Sequence, residues 1–534
     1  MKKLLSFILT LIMTAVMAIS LTACGGGGVD PNKPEEGDVV LSFLHIGTRP
    51  KAMDEVEAKL SEICKAKLGF GVKFKEVNVM ELNSTYSNWL AANEEIDLLN
   101  VFGGDPVSYI NDKKVREMSS LMTDELAPHL KAKQEEMAAS YLYGTDDKLY
   151  GIGVFAPVED SATSFSYVVR KDVLETLGLA DKYTNGTQIS YEDLNTIFDG
   201  ISKNYKTTAK GAKIYPCPII NFDAVEIYFS SFDPLGANQY PMGVMMLDPV
   251  TGQWQEEVVN YYETEQYKNY VNWIGSCKEK GWIHPDAETT SSTHIDLFED
   301  GQFLGVFLQN SASIKNQWED DNDCELVQLP INRAHTYLTV PMQALMISSK
   351  STRPKRAMQV MNLLYEDVYF NNVIYYGIEG KQWKYMEGGK EYGYITEVAP
   401  GSRSDYMVGG FWGDYSSIYK IAPDGMDLQD AIARETAAKA YNKSFADQAQ
   451  ANKSPAWGFS YDSTKQQARI NALNNKLGQY VSTLRVGNGV KGSDGTYTGP
   501  GSTYAEMIAA LNQSKINLVI QNKAEQYNAW KANK

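Results

Sequence analysis

Residues 39–50 of the chain read VVLSFLHIGTRP. The first six are apolar apart from one serine, which is typical of a buried strand, and the Gly-Thr-Arg-Pro at the end is typical of a turn. Residues 51–68 carry apolar side chains at helical spacing, and Gly69 follows them as a helix C-cap. This stretch therefore predicts a strand followed by its crossover helix.

The same alternation continues to residue 102. Val72 and Phe74 alternate with lysines in a second strand, residues 81–93 fit a second helix, and residues 96–102 form an apolar run typical of a buried parallel strand. The pattern β-α-β-α-β predicts an α/β fold. Ligands of such sheets bind beyond the carboxyl ends of the strands, here Gly47-Thr48-Arg49 and Gly103-Gly104-Asp105. The first turn lacks GxGxxG, which excludes a dinucleotide as the expected ligand.

A second α/β unit is predicted to begin near Ser166. Residues 167–170 are strand-like, and Asp172 is expected to N-cap the helix that follows. Further strands are predicted at 304–308, 325–329 and 344–348, with Pro354 at the first position of a helix. The extended segments 166–170 and 337–348 are expected to be hinge strands between the two units.

Composition limits the classes of partner. The 534 residues are 43% hydrophobic and 22% charged, which fits a folded globular protein and not a disordered chain or a multi-span membrane protein. The net charge of −16 would repel phosphate backbones, so nucleic acid is not an expected partner. With 33 Tyr and 9 Trp, the chain has the flat amphipathic side chains of an aromatic-lined binding surface, although most of them are expected in the core.

The N-terminus has the features of an export signal. Lys2 and Lys3 precede an uncharged stretch, 4–23, that ends in Leu21-Thr22-Ala23-Cys24. This ending resembles the bacterial lipobox, in which the cysteine is acylated and becomes the mature N-terminus. Residues 1–23 are therefore predicted to be a lipoprotein signal peptide, and 24–38 the lipidated cysteine with a flexible linker. An uncleaved membrane anchor is the alternative, but it leaves the small residues before the cysteine unexplained.

Motifs for catalysis or for cofactors do not stand out in the sequence. It contains no HExxH, GxSxG or GxxxxGK, so no metal and no cofactor are expected. Cys64, Cys217, Cys277 and Cys324 are far apart without a CxxC pair, and we predict no disulfide framework. A carboxylate pair for glycoside hydrolysis stays open, because its separation is a three-dimensional property.

A family resemblance is carried by motifs along nearly the whole mature chain. The earlier ones are His45-Ile46-Gly47-Thr48 with Pro50, Trp273 with Gly281-Trp282-Ile283 and Asp286, and Phe298 with Gly301. The more specific ones are Tyr376-Gly377-Ile378-Glu379-Gly380-Lys381, Gly458-Phe459-Ser460-Tyr461-Asp462, and Gln526 with Trp530. In these residues the chain resembles bacterial ABC-transporter extracellular solute-binding lipoproteins of the maltose-binding (family 1) type, in the subgroup with an additional C-terminal domain.

The resemblance implies a periplasmic-binding-protein type II-like fold, with two α/β lobes, a hinge and a ligand cleft between them. The N-terminal lobe is expected at 39–165 plus 341–385. The C-terminal lobe is expected at 166–340 plus 386–534, including a family-specific C-terminal region. The expected protein is a monomer without enzymatic activity, anchored by lipid to the outer face of the cytoplasmic membrane. It would deliver a small solute to separate ABC permease subunits.

The expected ligand is an oligosaccharide, although the choice of sugar over peptide stays open. A sugar site needs aromatic platforms flanked by polar side chains. The candidate ligand-binding residues are Trp412, Asp414, Trp457, Trp383, Arg49, Asp105 and Tyr150, and Cys24 is the candidate for lipidation. Two other functions stay open: a surface-anchored glycan-binding or sensory lipoprotein that signals through a partner, and a lipid-anchored hydrolase.

Overall fold

The protein has two main hydrophobic regions, one for each α/β unit. The computed structural model describes residues 34–45, 48–102, 106–135, 137, 140–144, 146–154, 162–221, 224–236, 240–337, 343–399, 401–406, 413–423, 425–459 and 461–534. The first region combines residues 39–152 with residues 344–406. The second combines residues 167–329 with residues 456–527.

The described residues form both strands and helices. The strands are β1 (Val39–His45), β2 (Val72–Asn78), β3 (Leu98–Phe102), β4 (Tyr141–Tyr143), β5 (Leu149–Gly153), β6 (Phe165–Arg170), β7 (Phe232–Asp233), β8 (Gly243–Leu247), β9 (Trp254–Asn260), β10 (Gly305–Gln309), β11 (Leu326–Pro330), β12 (Gln343–Ile347), β13 (Trp383–Tyr385), β14 (Tyr394–Glu397) and β15 (Lys420–Ile421).

The helices are α1 (Met53–Leu68), α2 (Leu82–Ala91), α3 (Pro106–Asn111), α4 (Pro128–Ala132), α5 (Lys171–Thr176), α6 (Tyr191–Asn204), α7 (Glu265–Glu279), α8 (His294–Glu299), α9 (Ala312–Asn322), α10 (Pro354–Glu366), α11 (Val368–Tyr376), α12 (Leu428–Ala451), α13 (Gln467–Arg485), α14 (Thr503–Gln513) and α15 (Ile516–Ala532). None of the described helices is long and apolar enough to span a bilayer.

The first region is built on a six-stranded sheet in the order β2-β1-β3-β12-β5-β4. Strands β1, β2 and β3 are parallel, while β12 runs antiparallel to β3 and β5. The predicted β-α-β-α-β unit is therefore confirmed. Its local signals are also confirmed: Gly69 caps α1 in the left-handed conformation at φ 80°, and Pro354 opens α10.

The second region contains two three-stranded sheets, β10-β6-β11 and β7-β8-β9. The central strand β6 is antiparallel to both of its neighbours. The prediction that Asp172 caps the next helix is wrong, because Arg170 occupies the N-cap position and Asp172 lies inside the first turn of α5. Strand β6 runs into the helix without a loop, so the last strand residue takes the cap position.

A third small sheet, β13-β14-β15, packs beside the first region. Tyr376 donates its hydroxyl hydrogen to the Tyr419 carbonyl at 2.7 Å, and Tyr406 is buried in the first hydrophobic region. The long helix α12 follows this sheet. Tyr394 of β14 donates to the Ala431 carbonyl at 2.9 Å, and Tyr441 further along α12 donates to Asn310 Oδ1 at 2.9 Å. Helix α12 thus contacts both parts of the molecule.

The chain crosses between the two regions three times. Single β-bridges join Thr163 to His335 and Thr336 to Lys453, so the three crossings lie side by side. Of the segments expected to be hinge strands, 166–170 belongs to β6 and the described end of 337–348 forms β12. Both follow a crossing in the chain, and their role as hinge strands stays a prediction.

The four described cysteines do not form disulfides in the structure. Cys64, Cys217 and Cys277 are buried, and Cys324 is half-buried. Burial raises the pKa of the Cys64 thiol to about 12, with smaller contributions from Asp367 and Asp38. Such a thiol is protonated and unreactive at neutral pH.

Candidate functional site

Three strand ends of the first sheet meet at one edge. Gln343 at the start of β12 pairs with Phe102 at the end of β3, and the β1–β3 register places His45 level with Phe102. Since β1 and β3 are parallel, this is the carboxyl edge of the sheet, where ligands of open α/β sheets bind. We refer to the region around His45, Asn100 and Gln343 as the carboxyl-edge site.

The carboxyl-edge site is polar and buried. His45, Asn100 and Gln343 are 8%, 0% and 7% exposed, and Gln343 Nε2 donates to Asn100 Oδ1 at 2.8 Å. His45 Nδ1 and Asn100 Nδ2 have no hydrogen-bond partner among the described residues. Because unpaired buried polar atoms are costly, two of them at the edge where sheets of this kind bind ligands mark it as the candidate binding site.

The segment that contains Asp414 reaches the same edge. Gly153 pairs with Ala344 of β12, and Tyr365 near the end of α10 donates its hydroxyl to the Gly153 carbonyl at 2.6 Å. Gly413 has a positive φ of 61° and packs so closely on α10 that a Cβ would lie 2.2 Å from the Leu364 carbonyl oxygen. Only glycine fits there, and it holds the segment against the end of α10.

Asp414 itself is half-buried. Its Oδ1 accepts hydrogen bonds from the Ser416 amide at 2.8 Å and from the Ser416 hydroxyl at 2.6 Å. Asn371 Nδ2 donates to the Asp414 carbonyl at 3.0 Å. One carboxylate oxygen thus caps a short turn, and the other is the one available to a ligand hydroxyl.

Arg49 and Tyr150 lie in different places. Arg49 follows β1, near the carboxyl edge, but its guanidinium is held by Asp54 and by Glu76, the latter at 2.8 Å. Tyr150 lies at the start of β5, three residues before Gly153, and donates its hydroxyl to Asp146 at 3.1 Å. Because β5 is antiparallel to β12, Tyr150 lies at the end of the sheet away from His45. Its position therefore gives no support to its predicted role as a ligand-binding residue.

Trp383 and Trp457 differ in exposure. Trp383 is fully buried, its Nε1 donates to the Gly377 carbonyl at 2.8 Å, and Tyr369, Tyr385 and Tyr419 surround its ring. This enclosure favours a structural role and leaves no face open to a ligand. Trp457 is half-buried next to the third crossing.

The Trp457 ring carries a cation on one face. Lys453 Nζ lies 4.1 Å from the ring centroid, and Lys534 donates to the Trp457 carbonyl at 3.2 Å. A sugar could stack only on the opposite face. Trp412, Asp105 and Cys24, which are also predicted functional residues, lie outside the described residues.

Sequence reasoning missed the carboxyl-edge site as a set. The motif around His45 was visible, but Asn100 lies inside an apolar strand and Gln343 belongs to a distant one. The sequence signal that could have found this site is a polar residue within two positions of the end of a buried strand. Among the described residues, no cluster of His, Cys, Asp and Glu has an arrangement that could hold a metal ion.

Known proteins match this chain both in its C-terminal part and over nearly its whole length. A family described as a domain of unknown function (DUF3502) matches residues 455–532, which include α13, α14 and α15. Over 525 residues the chain is 23% identical to a carbohydrate ABC transporter substrate-binding protein of Streptococcus pneumoniae serotype 4, covering 97% of this chain and 96% of the relative.

Solved structures share the fold. The N-glycan transport solute binding protein NgtS from Streptococcus pneumoniae superposes with a TM-score of 0.69 at 19% identity, covering 93% of this chain and 100% of that one. An HMO binding ABC-transporter associated solute binding protein from Bifidobacterium longum infantis gives 0.60 at 14% identity, with 93% and 100% covered. These proteins are named as binding proteins and not as enzymes. The chain has the fold of the extracellular solute-binding proteins of ABC transporters, and the family resemblance predicted from its sequence is confirmed.

Proposed function

We propose that the chain is the solute-binding receptor of an ABC importer and that it captures an oligosaccharide at the carboxyl-edge site. The observation that carries the proposal is the pair of buried nitrogens, His45 Nδ1 and Asn100 Nδ2, without partners among the described residues. They lie at the strand edge where this type of fold binds ligands. Hydrogen-bond donors and acceptors of this kind match the hydroxyl groups of a sugar.

Aromatic stacking completes the proposed site. A sugar has C–H faces as well as hydroxyl edges, and tryptophan rings are the platforms that fit those faces. Trp412, the sequence neighbour of Gly413, is the first candidate platform, and the open face of Trp457 is the second. Similarity to proteins named for N-glycan, HMO and carbohydrate transport supports a glycan over a peptide.

Lobe closure around the ligand is part of the proposal. The two hydrophobic regions support a division into two lobes, and the adjacent crossings at Thr163, Thr336 and Lys453 are suited to a hinge. The packing of Tyr406 favours placing residues 386–406 in the N-terminal lobe, beyond the boundary expected at 385. Closure needs a ligand that binds the closed state better than the open one.

The proposed receptor is a monomer without enzymatic activity, held at the outer face of the cytoplasmic membrane by acylated Cys24, where it meets the permease. Full-length similarity to an ABC transporter substrate-binding protein supports a location outside the cell. We expect intact-mass analysis of the membrane-extracted protein to give a chain that starts at Cys24 and carries lipid. A Cys24→Ala variant should lose the lipid mass. A mature chain that begins at another residue would contradict the lipobox prediction.

A thermal-shift screen of glycans, amino acids and peptides tests the function. We expect an oligosaccharide to raise the melting temperature, since a ligand at 100 times its Kd stabilises the folded state by ~2.7 kcal/mol. Chromatography after the assay should show that this oligosaccharide is chemically unchanged. Release of a shorter sugar would instead establish a hydrolase, and stabilisation by peptides alone would contradict the oligosaccharide assignment.

The variant His45→Ala connects this screen to the site. It removes a buried nitrogen that we expect to bond the ligand, and such a bond contributes about 0.5–1.5 kcal/mol, or roughly twofold to tenfold in Kd. His129→Ala, in the short helix α4, is the matched control and should bind like the parent. Equal affinity of all three proteins for the hit would place the ligand elsewhere.

A further inference from the structure

The end of the first sheet opposite the carboxyl-edge site carries a cluster of basic residues. Two loops pair there: Val115 bridges to Ser348, and the Ser349 amide donates to the Lys114 carbonyl at 2.9 Å. Their segments, 113–116 and 348–356, contain no Asp or Glu. The seven basic residues of this cluster, which we call the basic loops, are Lys113, Lys114, Arg116, Lys350, Arg353, Lys355 and Arg356.

Strand register fixes the position of the basic loops. Ile347, the last residue of β12, pairs with Leu98, the first residue of β3. The basic loops therefore lie at the amino ends of the parallel strands, a full strand length from His45 and Gln343. A strand of five residues spans about 17 Å, so the basic loops and the carboxyl-edge site face opposite directions.

The segment that enters the fold from the N-terminus is fastened to the same loops. Both carboxylate oxygens of Glu35 accept hydrogen bonds from the first turn of α10, from the Lys355 amide at 3.0 Å and from the Arg356 amide at 2.9 Å. Arg356 also donates to the Gly37 carbonyl. Residue 34, the first described residue and the point from which the N-terminal segment leaves the fold, therefore lies beside the basic loops.

Carboxylates neutralise part of the cluster. Asp112 pairs with Lys114 at 3.0 Å, and buried Asp97 pairs with Arg353 at 2.9 Å. Glu95 also contacts Arg353. Lys113, Lys350 and Lys355 are exposed to solvent. Glu35 also acts electrostatically on Arg116, and Glu117 directly follows Arg116 in the chain. The seven basic residues outnumber these five carboxylates by two, so in a chain of net charge −16 this is a local surface with a small excess of positive charge.

We propose that the basic loops rest on the anionic phospholipid surface of the membrane and hold the undocked receptor with its carboxyl-edge site facing away from the bilayer. This inference rests on the proposed lipid anchor at Cys24. The ten residues from 24 to 33 reach at most about 35 Å, so the anchor keeps the exit point of the chain near the headgroups. Attraction between basic side chains and anionic lipid then selects the orientation.

Vesicle sedimentation with the unacylated mature chain, residues 25–534, tests the surface alone. Both hydrophobic regions begin at or after Val39, so the fold does not depend on the residues removed. We expect sedimentation with mixed phosphatidylglycerol and phosphatidylcholine vesicles at low salt, less at higher salt, and none with phosphatidylcholine alone. Equal sedimentation with both kinds of vesicle would overturn the proposal.

Two charge-matched variants make the test specific. The first replaces four lysines of the basic loops by glutamine: Lys113, Lys114, Lys350 and Lys355. The second replaces four exposed lysines of the C-terminal lobe: Lys203, Lys206, Lys210 and Lys280. A lysine near an anionic surface contributes about fivefold in affinity, so the first variant should lose at least tenfold and the second should bind like the parent.

The outcomes separate this inference from the proposed function. Circular dichroism melting of both variants confirms that each is folded before it is compared. Equal losses in the two variants would show a general charge effect and overturn the inference. Glycan binding and the lipid mass at Cys24 are measured separately, so either can fail while the vesicle result stands.

Discussion

Replacing Arg485 with methionine is expected to lower the free energy of unfolding by about 3–5 kcal/mol, because it leaves a buried carboxylate without its partner. Arg485 ends α13 and binds Glu226 with two hydrogen bonds, Nε to Oε2 at 2.5 Å and Nη2 to Oε1 at 2.7 Å. The two side chains are only 11% and 5% exposed. The pair thus fastens the C-terminal helices to the body of the second lobe.

Guanidinium unfolding followed by tryptophan fluorescence measures this effect. The double variant Arg485→Met with Glu226→Gln should recover part of the loss, since no full charge is then left buried. Lys443→Met is the control, because its pair with Asp447 is 62% and 65% exposed and contributes at most about 1 kcal/mol. An Arg485→Met protein as stable as the control variant would show that Glu226 finds water or another partner.

Much of the first lobe could be predicted from the sequence because its signals are local. Apolar spacing marks α1, and the left-handed Gly69 ends it. An uninterrupted apolar run marks β3, which is buried between β1 and β12. The same reasoning fails at Asp172, where its carboxylate pairs with Arg170 at 2.6 Å and does not cap the helix. Cap preferences assume a loop before the helix, and here there is none.

The carboxyl-edge site could not be predicted in the same way. Asn100 and Gln343 are hydrogen-bonded but lie 243 residues apart in the chain. No spacing rule connects them, because β12 returns to the first sheet only after the chain has built most of the second lobe. Trp383 shows the opposite error, in which the sequence predicts a site residue that the fold buries. A tryptophan after Gly380-Lys381 predicts an exposed platform, whereas three tyrosines enclose its ring in the fold.

Lys523 carries the second large expected effect. This lysine of α15 is fully buried, and its Nζ donates to the Pro234 and Gly243 carbonyls at 2.9 Å each. Lys523→Met keeps most of the stem but leaves both carbonyls unpaired. At about 1–3 kcal/mol for each buried group, we expect a loss of stability of several kcal/mol at pH 9, measured by guanidinium unfolding.

The size of that loss should depend on pH. Burial lowers the pKa of Lys523 from 10.5 to about 7, against the opposing charge of Asp233. Between pH 7 and pH 10.5 the unfolded chain binds more protons than the folded one. The contribution of Lys523 to stability therefore rises with pH in this range, by at most about 1.4 kcal/mol per pH unit. Below pH 7 the amine is charged in both states, and the contribution is constant at its lowest value.

The difference in stability between parent and Lys523→Met should therefore grow from pH 6 to pH 9. Lys531→Met on the same helix is the control, since Lys531 is 55% exposed and pairs with Glu256 at the surface. Its pKa is raised by the hydrogen bond to Glu256, so it stays charged in both states over this range and its small effect should not change with pH. A pH-independent difference for Lys523→Met would mean that the amine keeps its proton in the folded protein. The two carbonyls would then be binding an ammonium ion and not a neutral amine.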